Sequence, residues 1–323
     1  EHFADDRGRH AQQPSDIPKR GWLDIAMRVK NEVAKDNVSI IAAGLALYAL
    51  LAVFPALTAV VSIYGLFSSP EDIASHMQAF QGVLPGDASK ILEGQLQALS
   101  ARRQTLSFGL VFGLGVALWS ARKGMVALMA ATNVAYDEQE ERGFFKQIFV
   151  SLVFTFGAVL GFLVVLLLAV AIPLGLNYLP VGRFAETLIL VVRWALLWVF
   201  AVLGMAIVYR FAPDRHVAQW KWLTWGAGVA ATLWLIGSLL FAWYAQISAS
   251  ASYGQTYGTL GGVVILLLWF YLTGYSLVFG AEINSEMERQ TKEDTTEGPG
   301  KPMGERGAYA ADTVGPAWKE DKG

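Results

Sequence analysis

The chain has 323 residues, of which 54% are apolar and only 16% are charged, and its formal net charge is −2. Soluble domains usually carry about 25% charged residues, so this deficit indicates a protein with several membrane spans. The chain has no cysteine, which excludes disulfides, thiolate metal sites and a cysteine nucleophile. Its first apolar run is too long for a secretory signal.

Residues 1–37 are predicted to form a cytoplasmic N-terminal segment. Within it, 15–37 has helical periodicity, because Trp22, Ile25, Val29 and Val33 fall near one face and basic residues lie around the other. This pattern is typical of a helix that lies at the membrane interface. A solvated helix that leads into the first span is the alternative.

Apolar runs then predict six membrane-spanning helices within a membrane domain of residues 38–284. The most direct evidence is the sixty-residue stretch Trp222 to Ala281, which contains no Asp, Glu, Lys or Arg and is long enough for two spans. Barrel strands would be shorter and would alternate in polarity, so an all-α polytopic bundle is predicted. The predicted spans are about 39–67, 104–121, 147–176, 187–209, 222–248 and 257–281.

The distribution of Lys and Arg predicts the orientation of this bundle. With six spans, twenty basic residues fall on the side of the two termini and four on the other side. Positive charge favours the cytoplasm, so both termini are predicted to be cytoplasmic. Residues 71–103 are predicted to be a small extracytoplasmic segment of amphipathic helices. Residues 285–323, rich in Gly, Pro, Thr and charge, are predicted to be a disordered cytoplasmic tail.

The sequence contains little that is typical of soluble-enzyme chemistry. Its four histidines are scattered, and it has neither a phosphate-binding Gly-rich loop nor a nucleophile elbow. We therefore predict no catalytic residues, no metal, no cofactor and no nucleic-acid partner. Membrane lipids are the expected partners, with a small-molecule or lipid substrate, or an envelope protein or second copy of the chain, as further candidates.

A few residues inside or at the ends of the spans are candidates for a substrate path or for structural anchoring. Arg193 is the one charge inside a predicted span; it either faces a watery cavity or snorkels to the interface. Pro55 should kink the first span, which suits a transport cavity or a packing shape. Tyr257 and Gly258 lie in a glycine-spaced face that favours close helix packing over a dimer interface.

Glu282 and Asn284 end the sixth predicted span. A carboxylate at a helix C-terminus opposes the helix dipole, so Glu282 is expected to have a basic partner. Arg122, Lys123 and Arg210 end other predicted spans on the same side and are the candidates. A structural ion pair is favoured over a proton-coupling acid.

Several motifs resemble the YihY/BrkB family of bacterial inner-membrane proteins. They are Ala42 to Pro55, Trp119-Ser-Ala-Arg-Lys-Gly124 with Asn133 and Tyr136, Tyr209 to Arg215, and Tyr257-Gly-Thr-Leu-Gly-Gly through Gly280-Ala-Glu-Ile-Asn284. The resemblance covers about residues 20–288 and implies six spans with cytoplasmic ends. Members of the family have been labelled ribonuclease BN-like or virulence factors, and transport or envelope lipid handling has been suggested.

The sequence therefore favours a transporter, exporter or lipid-handling protein with its path between the first, fourth and sixth spans. It contains no nucleotide-binding motif that could supply the energy for transport. The alternative is an envelope assembly or regulatory scaffold that acts through residues 71–103. Ribonuclease activity is disfavoured, because phosphodiester hydrolysis needs a metal cluster or a histidine and carboxylate pair aligned on the phosphate. A polar cavity that reaches mid-membrane would distinguish transport from scaffolding.

Overall fold

The computed structural model describes residues 7–67, 108–168, 172, 182–250 and 253–318. Side chains are not described for 56–67, 108–114, 244–250 and 253–261, nor at a few single positions. The described residues form eight α-helices and no strand beyond one isolated bridge between Ala218 and Thr296. The helices are α1 Lys19–Lys35, α2 Val38–Phe67, α3 Phe108–Ala135, α4 Phe144–Leu166, α5 Arg183–Phe211, α6 Trp220–Ser250, α7 Tyr253–Glu288 and α8 Tyr309–Asp312. The all-helical prediction is confirmed for these residues.

The long helices pack mainly against their neighbours in the order α4, α3, α2, α7, α6, α5. The helix α2 contacts both α3 and α7, and α7 also reaches α3, so these three helices form the centre of the described bundle. The helix α5 packs chiefly on α6. The path predicted from the sequence lies between the first, fourth and sixth spans, which are α2, α5 and α7. Among the described residues α5 makes no extensive contact with α2 or α7, so these three helices do not enclose a path together.

Four of these helices are long and apolar enough to cross a membrane. They cover Phe144–Val165, Thr187–Phe211, Trp220–Trp243 and Gly262–Glu288. The pair formed by α1 and the start of α2 is a fifth candidate, bent by 61° at the break between them. Asn37 lies in that break with φ of 52°, a left-handed conformation that asparagine tolerates better than most residues. The chain is thus a multi-pass membrane protein.

The helix α3 is longer than the sequence suggested. The second predicted span ended at Ala121, before the charged pair Arg122 and Lys123, but the helix continues to Ala135. The residues after the pair include Ala127, Ala130 and Ala131, which are strong helix formers and keep the helix intact. Arg122 and Lys123 therefore lie near the middle of a helix and not at its end.

The helix α1 is covered on two sides. Ile25 and Val29 are buried in a cluster with Trp222 and Met287, as the periodicity indicated. Asp24 and Arg28, on the polar side, are also buried, by the N-terminal residues and the C-terminal tail. A fully solvated helix does not describe this arrangement, and the position of α1 at the membrane interface stays a prediction.

The prediction of a disordered tail is wrong for residues 289–318. Arg306 is buried and donates to the backbone carbonyls of Lys292, Glu293, Lys301 and Ala311. The tail also returns to the N-terminus, because Lys292 N donates to Arg9 O at 2.8 Å. A polar composition suggested disorder, but backbone carbonyls gathered around one guanidinium can order a chain without a large apolar core.

Candidate functional site

On the side of the bundle where both termini lie, the helix ends and their connections form a polar cap. The cap comprises residues 7–37, 131–143, 209–224 and 278–318. At its centre Arg215 and Glu288 form a two-point ion pair, with nitrogen–oxygen distances of 3.1 and 2.6 Å. The side chains are 1% and 0% exposed. Thr295 also donates to Glu288, at 2.7 Å, and the guanidinium lies 4.7 Å from the Tyr136 ring centroid. Burial acts to lower the pKa of Arg215, but Glu288 outweighs it and holds the pKa above its usual range.

Asn133 connects α3 to the loop that follows α5. Its side-chain oxygen accepts from Asp214 N at 2.7 Å, and its amide nitrogen donates to Glu140 at 3.2 Å. Arg142 then lies between Glu140 and Asp214, at 2.8 and 3.4 Å. Glu138, in the loop between α3 and α4, accepts from Tyr309 N of the tail at 2.7 Å. Burial raises the pKa of Glu138, and that hydrogen bond opposes the rise.

Asn284 holds α7 against α6. It is fully buried, accepts from Gly226 N at 2.9 Å and donates to Leu223 O at 3.1 Å. The two helices approach closely here because neither Gly226 nor Gly280 has a side chain: a Cβ on Gly226 would lie 2.2 Å from Gly280 O. The glycine spacing in the sequence predicted close helix packing at other positions on the chain. The close contact observed here is between Gly226 and Gly280, which that spacing did not identify.

Glu282 does not have the expected basic partner among the described residues. It is 1% exposed, and its Oε1 has no hydrogen-bond partner. Its carboxyl lies beside that of Asp36, in the break between α1 and α2. Of the expected partners, Arg122 donates to Ser151 Oγ at 3.1 Å on α4.

Arg210 is also engaged elsewhere. It donates to Ala218 O and pairs with Glu297 of the tail at 2.6 Å. Its guanidinium lies 4.5 Å from the Trp220 ring centroid and 5.3 Å from that of Phe211. Arg210 therefore anchors the tail to the start of α6.

A second polar feature is a cleft of about 600 Å³ between α2 and α3, which reaches the cap at Ala131 and Val134. We call it the α2–α3 cleft. Most of its lining is apolar, but Arg122 and Lys123 both contribute to it, with Tyr48 opposite. Lys123 is exposed, and Arg122 is half-buried with its guanidinium 4.6 Å from the Trp119 ring centroid. The lining includes Ile41, Gly44, Leu45, Val126 and Ala130.

The cationic pair is well inside α3 and not at its C-terminal end. Arg122 precedes the end of α3 by about 20 Å at 1.5 Å per residue. The facing Tyr48 is about 15 Å from the start of α2 by the same measure. Contact between the helices at this level is direct, since a Cβ on Gly124 would meet Ala52 Cβ at 3.4 Å. The Arg122 side chain is too short to reach Glu282 across such a distance.

The remaining sequence candidates do not converge on this cleft. Arg193 is on α5 with its guanidinium 5.1 Å from the Trp194 ring centroid, and it does not line the α2–α3 cleft. Pro55 is half-buried within α2, which continues through it. Tyr257 and Gly258 are in α7, but their side chains lie outside the described residues, as does the whole of 71–103.

Among the described residues, no group of three or more His, Asp or Glu side chains could hold a metal ion. A second cleft, of about 400 Å³, lies between α5 and α6 and is lined by Trp198, Trp225 and small residues. Its lining has no charged residue. Of these two clefts, only the α2–α3 cleft has charged groups, Arg122 and Lys123, in its lining for an anionic ligand to meet.

Sequence reasoning missed Asp36, Glu288 and Ser151 as partners of the residues it singled out. Asp36 lies at the end of segment 15–37, which was interpreted only as an interfacial or solvated helix. Glu288 and Thr295 belong to the stretch assigned to a disordered tail. The motif segments did contain a usable signal, because Asn133, Tyr136, Asp214 and Arg215 all belong to the motifs that carry the resemblance and all meet in the cap.

Comparison with known proteins gives a consistent set of relatives. The family sequence model described as virulence factor BrkB matches residues 29–304. The ribonuclease-like protein YfkH of Bacillus subtilis is 31% identical over 77% of this chain and 90% of its own length. A UPF0761 membrane protein of Vibrio vulnificus is 25% identical over 84% of this chain and 85% of its own. No solved structure matches the chain.

Proposed function

The chain belongs to the BrkB virulence-factor family, and on that premise we propose that it binds and moves an anionic amphiphile, of the phospholipid class, through the α2–α3 cleft. The observation that carries the proposal is the position of Arg122 and Lys123 in the middle of a helix, beside an open and mostly apolar cleft. Charged groups at membrane depth are costly and usually serve a substrate or ion path.

The depth of the pair argues against simple anchoring. A basic residue near a helix end can extend its charge to the interface, but these two lie about 18–20 Å from the end of α3. A phosphate or carboxylate beside them would receive one planar two-point donor and one mobile ammonium group. Acyl chains could lie along Leu45 and Val126, which line the same cleft.

The cleft also favours lipid handling over a small polar substrate. Its apolar lining and its open side suit a molecule whose tail remains in the bilayer while its headgroup enters. The path predicted from the sequence, between the first, fourth and sixth spans, is replaced here by one between α2 and α3. The scaffold alternative depends on residues 71–103, which the structure does not describe.

The test uses purified full-length protein in vesicles. Retention of phosphatidylglycerol over phosphatidylcholine would be measured by native mass spectrometry, and transbilayer movement of a headgroup-labelled anionic lipid by quencher accessibility. Arg122→Ala with Lys123→Ala should abolish both the anionic preference and the movement.

Two matched controls make this result specific. Lys146→Ala removes an exposed cation at the start of α4 and should leave both measurements unchanged. Ser151→Ala removes the hydrogen-bond partner of Arg122 while the cation remains, and it should also retain binding. If the double variant binds and moves anionic lipid like the wild type, the proposal is wrong.

We further propose that α2 to α7 are six spans in an inner membrane with both termini in the cytoplasm, on the charge asymmetry of the connections. The absence of cysteine makes a direct test possible. Single variants Ser100→Cys, Glu141→Cys and Glu305→Cys would be labelled in intact cells with an impermeant maleimide. Only Ser100→Cys should react, and labelling of Glu141→Cys in intact cells would refute the orientation.

The proposal includes no ribonuclease activity, although the relative YfkH is described as ribonuclease-like. Protein purified free of contaminating nuclease should leave RNA intact with or without divalent metal. Cleavage that disappears on a point substitution in this chain would refute that part of the proposal.

A further inference from the structure

Glu282 is the least satisfied charged group in the polar cap. It lies near the end of α7 with 1% of its surface exposed, and Oε1 makes no hydrogen bond. A buried carboxylate with a free oxygen is costly, because the ion has lost its hydration and gained no compensating donor. Within the described part of the chain Glu282 has no basic partner, although four other carboxylates surround it.

Those carboxylates come from α1, from the break after it, from the end of α3 and from α7 itself, whereas α6 contributes none here. Asp36 is in the break between α1 and α2, Glu32 is on α1, Asp137 follows α3 and Glu286 is one turn further along α7. The phenol of Tyr136, at the end of α3, also faces this group. An ionised Glu282 would therefore add one more negative charge to a dense acidic cluster.

The cations nearby are already engaged. Lys35 Nζ lies 2.6 Å from Glu32 and 3.7 Å from Asp137. Arg289 lies 2.5 Å from Glu286 and 3.8 Å from Glu32. Both basic groups thus neutralise the surrounding acids and leave Glu282 without compensation.

A proton on Glu282 would remove the uncompensated charge that burial and the lack of a basic partner make costly. A protonated carboxyl has one O–H donor, and the Asp36 carboxylate lies beside it as an acceptor. We propose that Glu282 and Asp36 form a proton-binding site, in which Glu282 holds one proton and donates it in a hydrogen bond to the Asp36 carboxylate.

The position of the pair gives the proton a structural consequence. Asp36 is next to Asn37, where the chain bends by 61° between α1 and α2, and Glu282 is on the central helix α7. The shared proton therefore ties the bend to α7. The site does not depend on the α2–α3 cleft.

Infrared spectroscopy of the full-length protein in lipid nanodiscs tests the assignment near neutral pH. The difference spectrum between wild type and Glu282→Gln should contain the carbonyl stretch of one protonated carboxyl group. Asp36→Asn should shift that band without removing it, because the acceptor changes while the proton remains. Glu293→Gln, at an exposed tail carboxylate, should leave the band unchanged.

Each other outcome overturns the proposal. Absence of the band from the wild-type minus Glu282→Gln difference spectrum would mean that Glu282 is ionised. Loss of the wild-type band on addition of Na⁺ or Mg²⁺ at fixed pH would assign a cation site instead. Glutamine matches a protonated glutamate in shape, so Glu282→Gln should fold; if it does not, the Asp36→Asn shift decides alone, and an unshifted band refutes the pair.

Discussion

The polar cap and the α2–α3 cleft use basic residues in opposite ways. In the cap, Arg215, Arg210 and Arg306 are buried and each is fixed by carboxylates or carbonyls of the same chain. In the cleft, Lys123 is exposed and Arg122 has one hydroxyl and one aromatic ring as its described contacts. A cation that the protein satisfies itself is structural, whereas one left under-satisfied in an apolar cleft is available to a ligand. Substitutions should therefore affect stability in the cap and binding in the cleft.

The largest effect is expected at the Arg215–Glu288 ion pair. Glu288→Gln keeps the shape but leaves a buried guanidinium without its counter-charge, which should cost about 3–5 kcal/mol of unfolding free energy. The matched control is the Lys35–Glu32 pair, which has the same 2.6 Å separation but 60% exposure at the lysine. Lys35→Ala should cost about 1 kcal/mol or less.

Thermal unfolding of the detergent-solubilised full-length protein measures both variants. Equal losses for Glu288→Gln and Lys35→Ala would mean that burial does not distinguish the two pairs, and the comparison between the cap and an ordinary surface would fail.

A smaller effect is expected where α6 and α7 touch. Gly226→Ala would place a Cβ against Gly280 O and the Asn284 side chain, and such overpacking costs about 1–3 kcal/mol. At Gly228, two residues further along α6, a Cβ would meet no atom within 4 Å, so Gly228→Ala should be neutral or stabilising by up to about 1 kcal/mol. The unfolding free energies of the two variants separate the effect of the helix contact from that of helix propensity. If Gly226→Ala were as stable as the wild type, the close contact between α6 and α7 at Gly280 would be excluded.

The sequence predicted the helical class and the approximate place of each long helix, because an uncharged run of bilayer length has few other solutions. It misplaced the end of α3, since a charged pair was interpreted as a span boundary when the alanine-rich stretch after it continues the helix. It missed the order of the tail for a different reason: Glu288 pairs with a residue that is distant in the sequence, and Arg306 acquires its partners only across a folded loop. Such pairings leave no periodic pattern in one sequence.

A further contrast is expected between Arg122, which sequence reasoning placed at the end of a span, and Arg193, which it placed inside one. Arg122→Ala should weaken retention of anionic lipid about tenfold, equivalent to about 1.4 kcal/mol, and Arg122→Lys should restore part of it. Arg193→Ala should change retention by less than about twofold, because Arg193 does not line the α2–α3 cleft. Native mass spectrometry in mixed lipids measures all three variants. A larger loss of lipid retention for Arg193→Ala would indicate that the lipid path lies at α5.

The smallest effect concerns the tail at Asp294. Its carboxylate accepts from Lys301 N at 2.8 Å, from Thr296 N at 2.9 Å and from Thr296 Oγ at 2.7 Å. Burial acts to raise the pKa of Asp294, but these hydrogen bonds outweigh it and the pKa is lowered. The carboxylate therefore stabilises the tail fully above the ordinary aspartate pKa of about 3.9, and this contribution is lost as the pH falls through the lowered value.

Asp294→Asn should reproduce the acid-induced loss at neutral pH, because an amide group cannot accept on both sides and one donor is left facing another donor. The expected cost is about 1 kcal/mol, confined to the tail. Amide hydrogen exchange at Lys301 measures it, with Glu305→Gln, at an exposed tail carboxylate, as the control. Unchanged protection of Lys301 in Asp294→Asn would show that Arg306 and its carbonyl partners order the tail without this carboxylate.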